Sequence, residues 1–440
     1  MSQDIPVVPT FTPELRTRLD KLVGNFDWQL DNPMHTPRPI AQTGILEQIG
    51  STLWEASGLT APELFQKIGE ARIKQTPARL VISGPSDQQY PWELLYHGDN
   101  QLGSLGQHAW CTVTRCVCDK PTRAPDLWPL PARILLFISS PEDLNPERNR
   151  LDFEEEEALL FTALDRSLQE EKVIIDVAED GTLPTLLSRL EQQPYHVLIL
   201  SMHGIENGLL FEDEKIWTGK LVAGSALAKQ LDHLPPGHRP ELLVVSACRS
   251  AKAEESAQSL SSVTQILHEQ GIARVLGMRL SVQDKAASAF NAELFRRISL
   301  GDSLGRALAL ARETLARGGW LNPADSAGQI SHPGDPFAQW TLPVLFDSTV
   351  DAPLIDVTRK SQTFPAAHSP PSTFMIGEHV LPVLSRGAFI GRRAQIRQHL
   401  KKFIEGTEPA LMFTGHGGWE RPHWQDTLPN GFSNLTRQIG

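Results

Sequence analysis

From residue 133 onward the chain alternates between short, wholly apolar runs and longer stretches that are apolar on one helical side. The runs are RILLFIS (133–139), KVIIDV (172–177), HVLILSM (196–202), LLVVSAC (242–248) and ARVLGM (273–278). Between them lie helical patterns such as LPTLLSRLEQ (183–192) and SLSSVTQILHEQ (259–270), and a stretch with glutamates 154–157 on its solvated side. A strand that is apolar at every position must be covered on both faces. The pattern therefore predicts an α/β fold, a sandwich with a mainly parallel central sheet and helices on both faces. GLLFEDEKIWTG (208–219) breaks the rhythm and reads as a hairpin. Helices are expected around 284–299 and 303–317, and FAQWTLPVLF (337–346) closes the unit as a last strand.

Upstream, residues 1–40 are rich in proline and polar groups and read as an extended lead-in. Residues 41–130 form an N-terminal α+β subdomain: two amphipathic helices (44–57 and 61–73), a strand at 78–84, a short helix and turn at 91–106, and a cysteine-bearing strand at 110–118. Prolines at 121, 125, 129 and 131 mark a connecting stretch before the core at 131–347. Proline, serine and threonine dominate 348–385, which reads as a linker.

Composition narrows the class. There are 41 basic against 52 acidic side chains in 440 residues, a net charge of −11, so no overall basic field draws the chain to nucleic acid or to anionic membranes. No apolar run approaches the roughly 20 residues of a membrane span, and MSQDIPVVPTF has no basic-then-apolar leader pattern. Four cysteines are too few for a disulfide framework in a chain of this length, which points to a reducing cytoplasm. Cys111, Cys116 and Cys118 lack the spacing and the fourth ligand of a zinc site and fit a strand with small apolar side chains. No metal or cofactor is expected.

The candidate chemistry sits at two strand ends. In open α/β sheets, reactive groups gather in the loops beyond the carboxyl ends of strands. HVLILSM runs into His203 and Gly204, and LLVVSA runs into Cys248. The interval leaves room for one crossover with a hairpin and a helix, so neighbouring strands would bring imidazole and thiol face to face. A thiolate nucleophile with a nearby imidazole base is the equipment of a cysteine peptidase. The backbone N–H groups of Gly204 and Cys248 are candidate donors to an oxyanion.

S-M-H-G (201–204) and V-S-A-C-R-S-A (245–251), in this order and spacing, resemble the caspase-like peptidases, and most of all the CHAT family. P-W-E-L-L (91–95), V-L-G-M-R-L-S-V-Q-D (275–284) and the last strand near Trp340 extend the resemblance over roughly 40–347. It implies a caspase-like fold, His203 as general base, Cys248 as nucleophile and Gly204 at the oxyanion site. It further implies a protein substrate cut at few sites, in bacterial signalling, defence or regulated cell death. The alternative is a catalytically silent scaffold of the same fold. In such enzymes the loop after the first core strand helps line the primary specificity pocket. That loop is 140–150 here, and it reads first as an ordinary solvated loop; as a pocket wall, its Glu142, Asp143 or Glu147 would favour a basic residue before the scissile bond. Ser246 and Met278 are further candidate substrate contacts, Met278 as an apolar wall.

Residues 386–418 resemble the start of a signal-transducing P-loop ATPase module of the STAND type, with a glycine-arginine turn, an amphipathic helix and the strand and glycines of 410–418. The P-loop then fails: Trp419, Glu420, Arg421 and Pro422 stand where a phosphate-binding lysine and a magnesium-binding hydroxyl belong. ATP binding by this chain is not expected. A shift of one base in the codons for W-E-R-P-H-W-Q restores Gly-Lys-Thr after the glycines. Residues 419–440 thus read as an out-of-frame tail, and gene codons incompatible with that frame would overturn this reading.

Overall fold

The computed structural model describes residues 4–32, 44–84, 87–98, 103–117, 127–141, 143–144, 153–178, 180–205, 208–213, 218–247, 261–280, 282–318, 320, 337–360, 373–376 and 379–382. The elements begin with β1 (Asp4–Val7), α1 (Pro13–Asp31), α2 (Ile45–Ser57), α3 (Ala61–Lys74), β2 (Ala78–Ser83), β3 (Cys111–Cys116) and β4 (Trp128–Leu130). There follow β5 (Ala132–Ile138), α4 (Phe153–Gln169), β6 (Val173–Val177), α5 (Leu183–Gln192), β7 (Val197–Ile205), β8 (Gly208–Glu212), β9 (Gly219–Ala223) and α6 (Gly224–Asp232). The rest are β10 (Leu242–Ala247), α7 (Ser261–Glu269), β11 (Arg274–Met278), α8 (Asp284–Ser299), α9 (Leu304–Ala316), β12 (Pro343–Asp347), β13 (Ile355–Lys360), β14 (Thr373–Ile376) and β15 (His379–Pro382).

The apolar runs become neighbours in one sheet of order β1-β2-β3-β12-β11-β10-β7-β5-β6, with β8 and β9 branching from β7 as a hairpin. All pairs along this path are parallel except β11 with β12. Alternation along each strand divides the core in two. Ile134, Ile199, Val244 and Leu276 pack with α4, α8 and α9 on one face, joined by α1–α3. Leu135, Leu198, Val245 and Val275 pack with α5, α6 and α7 on the other. The fold is thus the expected α/β sandwich with a mainly parallel sheet. The chain runs from β5 out to β6 and returns to β7 on the other side of β5, so the switch point of the sheet lies between β5 and β7.

Three expectations need correction. The lead-in over 1–40 is not extended where it is described. β1 adds to β2 at the sheet edge, and α1 is a 19-residue helix. Thr12 caps it by accepting from Leu15 N at 3.2 Å, and Pro13 occupies its first turn, where a missing N–H costs nothing. Leu19, Val23, Phe26 and Leu30 recur at helical spacing and are buried. Composition masked this stripe, because only the spacing of those four residues carries it.

The second correction concerns the linker, whose first part belongs to the folded unit. Ser348 N donates to Ala273 O at 3.0 Å, Asp351 accepts from Gly305 N at 2.9 Å and Ser303 Oγ at 2.8 Å, and β13 pairs with β4. Ser348 and Asp351 are thus satisfied by the core rather than by water. The helix expected in the crossover after the hairpin is α6, and the third correction is that 208–223 supplies both strands of that hairpin.

The strands of the N-terminal segment join the same sheet, since β3 pairs with β12. Buried charges hold this junction. Arg115 meets Glu93 through two hydrogen bonds of 2.6 and 3.0 Å, and Arg312 of α9 reaches the same carboxylate at 3.2 Å. Burial pushes the Glu93 carboxyl up, but the two guanidinium groups outweigh it and hold the group below its usual range. Burial lowers Arg312 to about 10.

Candidate active site

Three strands end at one level around the switch point. Ile138 of β5 and Ser246 of β10 both pair with Ser201 of β7, and Ala247 pairs with Met202. β7 and β10 are therefore parallel neighbours, with the hairpin β8–β9 and helix α6 in the crossover between them. The residues that follow Met202 and Ala247 in the chain are His203 and Cys248. Cys248 lies outside the described residues, as do Glu142, Glu147, the candidate P-loop segment 386–418 and the tail 419–440.

His203 is fully buried. It belongs to the part of β7 that turns from the parallel sheet into the hairpin, where His203 pairs with Leu210 and Gly204 with Leu209 of β8. Alternation puts the side chains of Ser201 and His203 on the face shared with Val197 and Ile199. Ser246 follows Val244 onto that face. It is fully buried, and its Oγ has no hydrogen-bond partner among the described residues. A buried hydroxyl left unpaired is uncommon and costs free energy.

The loop after β5 is fastened to the hairpin. Ser139 N donates to Ser201 O at 2.9 Å, and Ser139 Oγ donates to Leu210 O at 2.8 Å. Ser140 N donates to Glu212 Oε1 at 2.8 Å. Asp143, an exposed residue, accepts from Gly219 N at 2.8 Å, tying the same loop to the start of β9. Met278 is buried among the core residues beside α8 and α9, so it is placed in the core and not on an open wall. The next residue, Arg279, meets Asp27 of α1 at 2.7 Å.

Sequence reasoning missed Ser139, Ser201 and Glu212. Glu212 ends an apolar run and precedes three more charged residues in F-E-D-E-K, which looks like an ordinary turn. Nothing in that pattern separates the buried acid from the charged residues beside it in the chain. Among the described residues no group of three or more His, Cys, Asp or Glu could hold a metal ion, and no helix is long and apolar enough to cross a membrane.

A parallel sheet covered on both faces, with polar residues collected where its strands end beside the switch point, is the frame of an α/β protein that works at the carboxyl edge of its sheet. The CHAT domain matches residues 47–346, more than half of the chain, and the chain belongs to the CHAT-domain family. It is similar to the Arg-specific cysteine proteinase gingipain R of Porphyromonas gingivalis, with a TM-score of 0.39 at 12% identity over 81% of this chain and 79% of that one. It is also similar to a further protease, with a TM-score of 0.41 at 11% identity over 84% and 83%. A third similar structure is the Saccharomyces cerevisiae separase–securin complex, with a TM-score of 0.35 at 16% identity over 77% of this chain and 22% of that one. No curated protein sequence matches the chain.

Proposed function

We propose that this CHAT-domain chain is a cysteine endopeptidase with His203 and Cys248 as its catalytic dyad. The observation that carries the reading is the register of β7 and β10. Met202 and Ala247 are paired across parallel strands, and each is bonded to a dyad residue. Backbone continuity keeps consecutive Cα atoms about 3.8 Å apart, so imidazole and thiol start from adjacent strand ends.

In this mechanism His203 takes the proton of the Cys248 thiol as Sγ attacks the scissile carbonyl carbon. The carbonyl oxygen becomes an oxyanion, with Gly204 N–H and Cys248 N–H as its donors. Collapse of the intermediate breaks the C–N bond, and His203 returns the proton to the departing amine. Water then attacks the thioester with His203 again as base, which releases the acid and restores the thiol. Glu142 and Asp143 would attract a basic residue before the cut. Ser246 would offer its unpaired hydroxyl beside the nucleophile's strand.

The substrate in this reading is a protein, in a signalling, defence or cell-death setting. The ATPase-like segment has Trp419, Glu420 and Arg421 in place of the phosphate-binding residues of a P-loop, so this reading assigns it no ATP site. A second reading, a silent scaffold, is favoured by the full burial of His203, since a working imidazole must meet substrate.

One experiment separates the two. A limiting amount of an iodoacetamide-alkyne probe is expected to label Cys248, and His203→Ala to lose that labelling. A fluorogenic peptide library is expected to be cleaved by the native chain and not by Cys248→Ala. Equal labelling with and without the imidazole, together with no cleavage, would sink the peptidase reading.

A further inference from the structure

Two loops border the carboxyl ends of the strands at the switch point, one following β5 and one following β6. A single side chain holds both. Glu212, the last residue of β8, is 1% exposed. Its Oε1 accepts from Ser140 N at 2.8 Å in the first loop, and its Oε2 accepts from Gly181 N at 2.9 Å in the second. Its own N–H donates back to Gly181 O at 2.9 Å. Two residues earlier on β8, Leu210 pairs with His203 and accepts from Ser139 Oγ. The hairpin thus touches both the imidazole-bearing strand and the two loops.

Both loop amides lie past the ends of their strands, where the sheet no longer supplies acceptors. A carboxylate has two acceptor oxygens and no donor, so one group satisfies amides from two segments. A glutamine would accept one amide and turn an NH2 group against the other. Gly181 is fitted to the same contact. A Cβ there would lie 2.6 Å from Glu212 Cδ, 2.6 Å from Oε1 and 2.6 Å from Ser139 Cα. The place therefore admits no side chain.

We propose that Glu212 is a positioning residue that clamps the loops after β5 and β6 onto the His203 hairpin and so fixes the walls of the substrate cleft. The clamp stands on geometry alone. Its role toward substrate rests on the peptidase reading.

Hydrogen exchange read by mass spectrometry, joined to peptide cleavage kinetics, tests both parts on the full chain. In the native protein the Ser140 and Gly181 amides are expected to exchange slowly and together. Exchange at the free-peptide rate would overturn the clamp without any variant. In Glu212→Gln both amides are expected to exchange about ten-fold faster or more, with β5 and β7 interior amides unchanged. Gly181→Ala, approaching from the other side of the contact, is expected to release Ser140 in the same way. For a fluorogenic peptide cleaved by the native chain, KM is expected to rise about ten-fold in Glu212→Gln, with kcat within about three-fold. Unchanged amides, or faster exchange spread equally through β5 and β7, would overturn the clamp. A fall in kcat with KM unchanged would overturn the cleft role. If the native chain cleaves no peptide, the peptidase reading fails by itself, and the exchange data still decide the clamp.

Discussion

From β5 to β11 the strand interiors are apolar on both faces, and polar side chains stand where strands begin or end: Arg133 and Arg274 at the starts, Ser201, His203 and Ser246 at the ends. From β12 to β1 charge is built into the sheet itself. Arg115 binds Glu93, and Arg79 binds both Asp4 and Asp347, at 2.7 and 3.1 Å. In the second region every one of these charges has an opposite partner. In the first, a fully buried hydroxyl has none among the described residues. Paired charge inside a sheet fixes which elements meet, whereas the polar groups at the strand ends include the imidazole of the proposed dyad. Buried ion pairs contribute little net stability over an apolar core. The Glu93 cluster is therefore best understood as specifying the junction of β3 with β12 and α9.

The strongest way to break this comparison is to remove the shared carboxylate. Glu93→Gln leaves Arg115 and Arg312 buried without a counter-ion, and about 3–5 kcal/mol of unfolding free energy should be lost. Urea unfolding measures it, and Cys248 labelling per folded molecule should be unchanged. A loss under about 1 kcal/mol would mean that the charges are solvated or replaceable, and the contrast between the halves would fall. Because the Glu93 carboxyl is held below its usual range, its contribution is present at neutral pH. It fades only as pH falls through that depressed value.

A second test turns on Asp351, where the sign is opposite. Burial pushes its carboxyl up to about 6, against the pull of the Gly305 N–H and Ser303 hydroxyl hydrogen bonds. A carboxyl whose folded pKa is raised binds its proton more tightly when folded. Stability is therefore highest below the unfolded carboxylate range and falls as pH rises from about 4 to about 6. The full change is on the order of 2–3 kcal/mol. Denaturation curves across that window should show the fall in the native chain and lose most of it in Asp351→Asn. A native chain that gains stability over the same window relative to Asp351→Asn would contradict the placement of this acid.

The contrast also explains what could be read from the chain alone. RILLFIS, HVLILSM and LLVVSAC announce themselves because a strand buried on both faces is almost wholly apolar, and His203 and Cys248 stand out as the reactive side chains at the ends of two of those runs. The sandwich and the neighbouring of β7 and β10 were legible for that reason. The charged half was harder. Arg79 and Arg115 look like surface residues of half-exposed strands, and only their distant partners Asp347 and Glu93 make them interior. Glu212 and Asp351 were invisible for the same cause: their partners are backbone amides and hydroxyls remote in sequence, which leave no periodic mark. Met278 misled because the end of a strand can still lie under a helix.

The smallest effect concerns α1, which ties the two halves together. The helix begins over the charged half, where its Arg16 binds Asp87, and its Asp27 binds Arg279 just past β11. Thr12 caps its first turn, and replacing an N-cap threonine with alanine typically costs about 1 kcal/mol. Thr12→Ala should lower stability by that amount in urea unfolding and speed amide exchange in the first turn only. Asp27 lies several turns further along, held by Arg279 and by the buried Leu19, Val23 and Phe26. Fraying at the start should therefore leave the end of β11 and the labelling of Cys248 as they were. If labelling drops by more than the stability change accounts for, α1 acts on the site through its whole length, and the division between a structural and a chemical half must be redrawn.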